Sequence, residues 1–165
     1  MANDGDDYSR AYGGLALAAR LRRLSERLDR DGTRVYEAHG VRFEQRWYGV
    51  LRQLLANGPM TVGEIADTLR ISHASVSEAR RSLEREGILV ATQCPSDARR
   101  RILDLTPAGR RLCDRLRPLW DDFNATALEL NDEAGDLVRF LDRLEDALER
   151  RSMFDRMQAR RSGSD

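Results

Sequence analysis

Two clusters of arginine are the features of this 165-residue chain whose residue types and spacing indicate a chemical role. All 28 basic side chains are arginine, which excludes every lysine-based mechanism. One cluster is Arg80, Arg81 and Arg85, and the other is Arg99, Arg100 and Arg101. Guanidinium groups bind phosphate oxygens and guanine edges, so both clusters are candidates for contact with nucleic acid. The alternative is a solvated face on which the arginines pair with neighbouring glutamates at helical spacing.

The net charge reveals these clusters only when it is counted by segment. The 28 basic and 28 acidic residues cancel, so the whole-chain charge indicates no partner. Residues 59–118 hold 11 arginines against 8 acidic residues, a net charge of +3, whereas residues 119–165 hold 7 against 12, a net charge of −5. The middle segment is therefore basic where both arginine clusters lie.

Two short helices are predicted around the first cluster. Thr61 stands three residues before Glu64, which is the spacing of a capping box, and the helix it starts ends near Arg70. Ser72 can cap a second helix that continues to about residue 86, before Gly87. Two short helices joined by a tight turn are typical of a helix-turn-helix.

A β-hairpin is predicted directly after these helices. Residues 88–90 are apolar, and residues 101–106 alternate apolar and polar side chains as a half-buried strand does. Turn-forming residues at 94–98 join the two segments. A hairpin in this position is a wing, and it carries the second arginine cluster. This order of elements favours nucleic-acid contact over the solvated-face alternative.

Amphipathic helices are predicted on both sides of the winged segment, so we expect a mostly α-helical protein. Leucines at positions 17, 21, 24 and 28 form one stripe, and apolar residues at 140, 141, 144 and 148 form another. The predicted organisation is a disordered start at 1–12, N-terminal helices at 13–58, the winged helix-turn-helix at 59–109, C-terminal helices at 110–152 and a disordered tail at 153–165.

Several function classes are excluded by what the sequence lacks. No apolar run approaches the roughly 18 residues of a membrane span, and the acidic start is unlike a signal peptide, so we expect a cytoplasmic protein without a membrane partner. Cys94 and Cys113 lack metal-site or CxxC spacing, so we expect reduced thiols and neither a metal nor another cofactor, while an oxidant-sensing role stays open. No nucleotide-binding or hydrolase motif is present, so we predict no catalytic residue and no enzyme.

The segment from about Phe43 to Leu116 resembles the multiple-antibiotic-resistance regulator (MarR) family of winged-helix repressors. The family pattern D-x-R-x-x-x-L-x-L-T-x-x-G is met at Asp97, Arg99, Leu103, Leu105, Thr106 and Gly109. Residues 17–55 also resemble the start of a subgroup in which the repressor domain is fused to an acetyltransferase. Fewer than fifty residues follow Leu116, without a glycine-rich acyl-carrier loop, so no enzymatic activity is carried over.

The resemblance implies a homodimer whose terminal helices intertwine and whose two lobes reach adjacent major grooves of double-stranded DNA. The two apolar stripes suit a self-complementary interface, although they could instead complete the core of a single chain. Small polar residues at the start of the second short helix can approach base edges and phosphates, and Arg99 can enter the minor groove while Asp97 holds its guanidinium. The predicted DNA-binding residues are Ser72, His73, Ala74, Ser75, Ser77, Arg80, Arg81, Asp97, Arg99, Arg100 and Arg101.

Resemblance to this family also implies release of DNA by an effector, here a small aromatic or anionic molecule. The candidate effector residues are Tyr36, His39, Phe43, Arg46 and Trp47. The alternative is that they are ordinary core and dimer-contact residues. The predicted function is thus a ligand-responsive repressor that reads a pseudo-palindromic site. The alternative function is a winged-helix adaptor that binds protein and associates with DNA weakly and without salt dependence.

Overall fold

The computed structural model describes residues 8–94 and 97–162, apart from the side chains of Tyr8, Ala98 and Arg99. The chain divides after Cys113 into two compact units. Most described residues are helical, as predicted. The elements are α1 (Tyr8–Ala11), a 3₁₀ turn (Gly13–Ala16), α2 (Leu17–Ala38), α3 (Gln45–Asn57), β1 (Met60–Thr61), α4 (Val62–Leu69), α5 (His73–Arg85), β2 (Leu89–Cys94), β3 (Asp97–Leu105), α6 (Pro107–Glu133), α7 (Leu137–Arg150) and α8 (Met153–Ser162).

A three-stranded antiparallel sheet replaces the predicted two-stranded one. Its order is β1-β3-β2, with Met60 opposite Leu103 on one side and Ala91 opposite Leu103 on the other. The prediction missed β1 because two residues are too few to show an alternating pattern. Residues 95 and 96, where the hairpin turn was predicted, lie outside the described residues.

The predicted caps of α4 and α5 are present. The backbone N–H of Glu64 donates to the Thr61 hydroxyl at 3.3 Å, and the Glu64 carboxylate accepts from the Thr61 backbone at 2.7 Å. Arg70 ends α4 in the left-handed conformation, with φ 53°. The Ser72 hydroxyl then accepts from the backbone N–H of Ser75 at 3.1 Å and starts α5. These local hydrogen bonds set where each helix of the pair begins.

The core of the first unit lies between α3, α4, α5 and the sheet. Leu51, Ile65, Val76, Leu83 and Leu103 are fully buried there. An aromatic stack extends this core toward the end of α2, where Tyr36 lies 4.3 Å from Phe43 and Phe43 lies 5.5 Å from Trp47, measured between ring centroids.

A threonine and a glycine fix the start of α6 to the end of α5. The Thr106 hydroxyl donates to the Gly87 carbonyl at 2.7 Å, and the Thr106 backbone N–H donates to the Ile88 carbonyl at 3.0 Å. The backbone N–H of Gly109 in turn donates to the Thr106 hydroxyl at 3.0 Å. A Cβ atom on Gly109 would lie only 2.1 Å from the Ile88 carbonyl oxygen. The T-x-x-G part of the motif is therefore explained by packing.

The predicted disordered tail is wrong for residues 153–162, which form α8. The Ser152 hydroxyl accepts from the backbone N–H of Asp155 at 3.1 Å and donates to its carboxylate at 2.6 Å, which caps the helix. The Arg156 guanidinium donates to the carbonyls of Ala147 and Arg151, at 2.7 and 3.0 Å, and so joins α8 to the end of α7. The predicted disordered start is likewise wrong at residues 8–11, which form α1, while residues 1–7 and 163–165 lie outside the described part.

Both predicted apolar stripes are exposed in the single chain. The four leucines of α2 are 38 to 57% exposed, and Phe140, Leu141 and Leu148 of α7 are 36 to 56% exposed. In α2 this exposure recurs at every helical turn, which is more than core positions allow. Each stripe is therefore left uncovered by the unit that carries it.

Candidate nucleic-acid interface

A cleft of about 290 Å³ opens where α4, α5 and β3 meet. Because Ser72 and Thr61 cap their helices side by side and β3 pairs with β1 beside them, three separate parts of the sequence reach this cleft. The residues that line it are Thr61, Val62, Gly63, His73, Ser77, Arg80, Arg100 and Arg101. Five of the predicted DNA-binding residues are thus brought together on one face, from α5 on one side and β3 on the other.

The remaining predicted residues of α5 lie at its start and on its exposed side. Ser72, Ala74 and Ser75 are exposed, and the two serine hydroxyls lie 2.8 Å apart, so they hydrogen-bond to each other. Arg81 is also exposed and forms no hydrogen bond or ion pair within the described residues. Arg80 differs, since it is half-buried and pairs with Glu84 at 3.0 Å. Arg81 and Arg85, which is exposed and likewise without a partner among the described residues, are therefore the arginines of this helix that are available to an incoming anion.

The arginines of the wing also differ in whether they have partners within the chain. Arg100 donates to the Thr61 hydroxyl at 3.2 Å and lies 3.7 Å from Glu64, so it ties β3 to the start of α4. Arg101 is exposed on β3. The Arg99 side chain lies outside the described part, and with it the predicted pair of Asp97 and Arg99.

The charge state of Glu64 follows from its capping role. The backbone N–H of Thr61, then the Thr61 hydroxyl, donates to the carboxylate and lowers the pKa of Glu64, and the nearby charge of Arg100 adds to this effect. Glu64 is consequently ionised at neutral pH and keeps Arg100 in place. The sequence predicts Thr61 only as a helix cap. Its position in the cleft could not be predicted, because it follows from the pairing of strand β1, which has no sequence signal of its own.

The predicted effector residues do not form one open site. Tyr36, Phe43 and Trp47 are 1 to 4% exposed and pack against one another, as the core alternative predicts. Arg46 is engaged by two carboxylates at 2.6 Å, and the His39 ring lies 2.8 Å from the carbonyl of Val35 in its own helix. A different cleft of about 410 Å³ lies beside them and shares only Phe43; it is lined by Thr33, Glu37, Gly40, Val41, Arg42 and Phe43.

The described residues form neither a metal site nor a membrane-spanning helix. Between residues 8 and 162, with 95 and 96 left out, no group of three or more histidine, cysteine or acidic side chains could hold a metal ion. Over that same part of the chain, every helix is too short or too polar to cross a membrane. Cys113 is buried and Cys94 is half-buried.

The central segment of the chain is similar to a known protein family. Residues 39–100 match the model of the MarR family. The transcriptional activatory protein BadR of Rhodopseudomonas palustris is 33% identical over 103 residues, which make up 61% of this chain and 58% of BadR. The chain therefore spans less than two thirds of the length of this relative. Fusion to an acetyltransferase has no support in these matches.

Solved structures share the fold over most of the chain. The PcaV transcriptional regulator of Streptomyces coelicolor, in complex with its natural ligand, is 25% identical with a TM-score of 0.63, over 79% of this chain and 95% of PcaV. S. aureus MepR in complex with DNA is 21% identical with a TM-score of 0.66, over 79% of this chain and 97% of MepR. MarR-family regulators are DNA-binding proteins and not enzymes. The chain is thus similar to the MarR family over residues 39–100 and shares the fold of these solved structures over most of its length.

Proposed function

We propose that this chain is a homodimeric, cytoplasmic transcription regulator that acts as a ligand-responsive repressor at a pseudo-palindromic DNA site. Residues 72–86 would enter the major groove and residues 95–101 of the wing would enter the minor groove. The cleft between α4, α5 and β3 carries this proposal, since it gathers three arginines together with His73 and Ser77 of α5 on one face. Phosphate contacts from such a face would position the protein, and base contacts from α5 would supply specificity.

The exposed stripes support the dimer. Four leucines of α2 and three apolar residues of α7 are left uncovered in one chain, and a second copy is the occupant that the family resemblance favours. A two-fold axis would place two α5 helices in half-sites about 10 base pairs apart. An inverted repeat in the bound DNA is the corresponding expectation.

The cleft beside Phe43 supports effector binding. Arg42 and Phe43 line it together, and an arginine next to an aromatic ring suits a small aromatic anion. The ligand-bound structure of PcaV is that of a protein with the same fold. We therefore shift the proposed effector site from the buried aromatic stack to this cleft.

Binding of the purified protein to fragments of its source genome, followed by sequencing of the bound DNA, tests the function. We expect an inverted repeat and an affinity that falls steeply with salt, by about 0.9 logarithmic units per tenfold salt change for each phosphate contact. Arg99→Ala should weaken binding at least about tenfold, since a minor-groove arginine is lost. Arg139→Ala, on the exposed surface of α7, is the matched control and should bind like the wild type.

The adaptor alternative has its own outcome. Diffuse, weak binding with little salt dependence would favour an adaptor over a regulator. Because BadR is named as an activator, a reporter gene placed behind the recovered site should be scored for both repression and activation. Activation would overturn the repressor part of the proposal alone.

A further inference from the structure

A short segment between α2 and α3 lies along one side of α5. Its odd-numbered side chains Val41 and Phe43 are buried, and the segment is still extended at Glu44, with φ −99° and ψ 127°. The even-numbered side chains Arg42, Glu44 and Arg46 are polar and reach α5 instead. We call these three residues the polar strap.

The strap contacts α5 at three points in regular order. The guanidinium of Arg42 lies 3.6 Å from Glu86, the Ser82 hydroxyl donates to Glu44 at 2.8 Å, and the guanidinium of Arg46 lies 2.6 Å from Glu78. Contacts advance by two residues along the strap and go back by four along α5. From Arg42 to Glu44 two extended residues span about 6.6 Å, close to the about 6 Å of four helical residues, so the two spacings match there. Arg46 lies in the first turn of α3 and reaches Glu78 with its guanidinium. The strap therefore runs antiparallel to the helix and in register with it.

Arg46 is the member of the strap that joins both sides. Its guanidinium lies 2.6 Å from Glu44 on its own segment and 2.6 Å from Glu78 on α5. Partial burial alone would raise the pKa of Glu44, but hydrogen bonds from Ser82 and Arg46 and the charges of Arg46 and Arg42 lower it overall. The strap is therefore fully charged at neutral pH.

We propose that Arg46 is a positioning residue, which sets the orientation of α5 for DNA reading by holding Glu44 and Glu78 together. The inference rests on the proposed function. Two other roles would use the same contacts. Arg46 could bind a DNA phosphate itself, or it could only neutralise Glu78, which is 62% exposed on the helix that faces DNA.

DNA affinity measured over a range of salt concentrations separates these roles. We expect Arg46→Ala to bind the recovered site about tenfold more weakly, which is the effect of one misplaced base contact. The slope of the logarithm of affinity against the logarithm of salt concentration should stay unchanged, because no phosphate contact is lost. Arg81→Ala should reduce the slope by about one. Arg52→Ala, an exposed arginine of α3, is the matched control and should change neither quantity. The melting temperature of Arg46→Ala should stay within about 4 °C of the wild type, because an exposed ion pair contributes little.

Hydrogen exchange on the protein without DNA is the second measurement. The amides of α5 should exchange faster in Arg46→Ala than in Arg52→Ala, because the helix loses its tether at Glu78, near its middle. Unchanged affinity and unchanged exchange would overturn the proposal. A salt slope reduced by about one would assign Arg46 to a phosphate, and restored affinity in the double variant with Glu78→Gln would assign it to neutralisation; either result overturns the positioning role.

A different result would show that the proposed function itself is wrong. In that case the wild type and Arg52→Ala would both fail to select an inverted repeat, whatever the exchange rates of α5. Faster exchange in Arg46→Ala would then show a tether on α5, but a role in DNA reading would be overturned together with the proposed function.

Discussion

Replacing Gly109 by alanine should strongly destabilise the first unit. A Cβ at this position would lie 2.1 Å from the Ile88 carbonyl oxygen, whereas ordinary contact begins near 3.4 Å, so α6 and the Gly87–Ile88 backbone would have to separate by about 1.3 Å. That shift would break the two hydrogen bonds of Thr106 to Gly87 and Ile88. Overpacking costs about 1–3 kcal/mol and each lost hydrogen bond about 1 kcal/mol, while alanine regains about 1 kcal/mol of helix propensity. The expected loss is about 2–4 kcal/mol in the free energy of unfolding.

Urea unfolding followed by circular dichroism, at one fixed protein concentration, measures this loss. Gly63→Ala is the matched control, because its Cβ would meet only the His73 ring at 3.5 Å, an ordinary contact, near the start of helix α4. The control should be as stable as the wild type or slightly more stable. If Gly109→Ala unfolds at the same urea concentration as Gly63→Ala, the close approach of α6 to Ile88 is not a constraint and the packing explanation of the motif is wrong.

Two further predictions concern assembly and acid stability. Leu24→Glu should shift the protein from dimer to monomer in analytical ultracentrifugation, because it places a charge in an apolar interface; an unchanged dimer would exclude the α2 stripe from that interface. Glu64→Gln should flatten the fall in stability between about pH 5 and pH 3. The folded-state pKa of Glu64 is lowered, so its contribution is present above the ordinary glutamate pKa of about 4.3 and is lost as the pH falls through the lower folded value; equal pH profiles would contradict this role.

The helices and their caps could be predicted from the sequence because their signals are local. Thr61 with Glu64, and Ser72 before α5, are short-range patterns, and both make the expected hydrogen bonds. Strand β1 could not be predicted, because its two residues pair with residues about forty positions away on β3. The α8 cap at Ser152 is as local as the others, but the arginine-rich composition around it concealed the helix.

Pairing across long sequence distances also explains why the candidate site was only partly predicted. The arginines of α5 and β3 were found from their clustering, but sequence alone could not show that Arg80 pairs with Glu84 and Arg100 with Thr61. Among the described residues, Arg81, Arg85 and Arg101 have no such partner. A cluster of charged residues in the sequence indicates that the segment lies on the protein surface. The partners that neutralise some of its members are visible only in the fold.

The segment from Val41 to Trp47 shows how one stretch of sequence supports two interpretations. Its composition, arginines among aromatic residues, is typical of a site for an aromatic anion. The alternation of apolar and polar residues from Val41 to Glu44 instead predicts an extended stretch with one buried side and one polar side, and the structure has this arrangement up to the start of α3. The periodicity predicts this structure better than the composition does, because the aromatic rings pack into the core. The polar groups next to them then need hydrogen-bond or ion-pair partners. Those partners are on α5. The polar residues whose composition indicated a ligand site are therefore the ones that contact this helix.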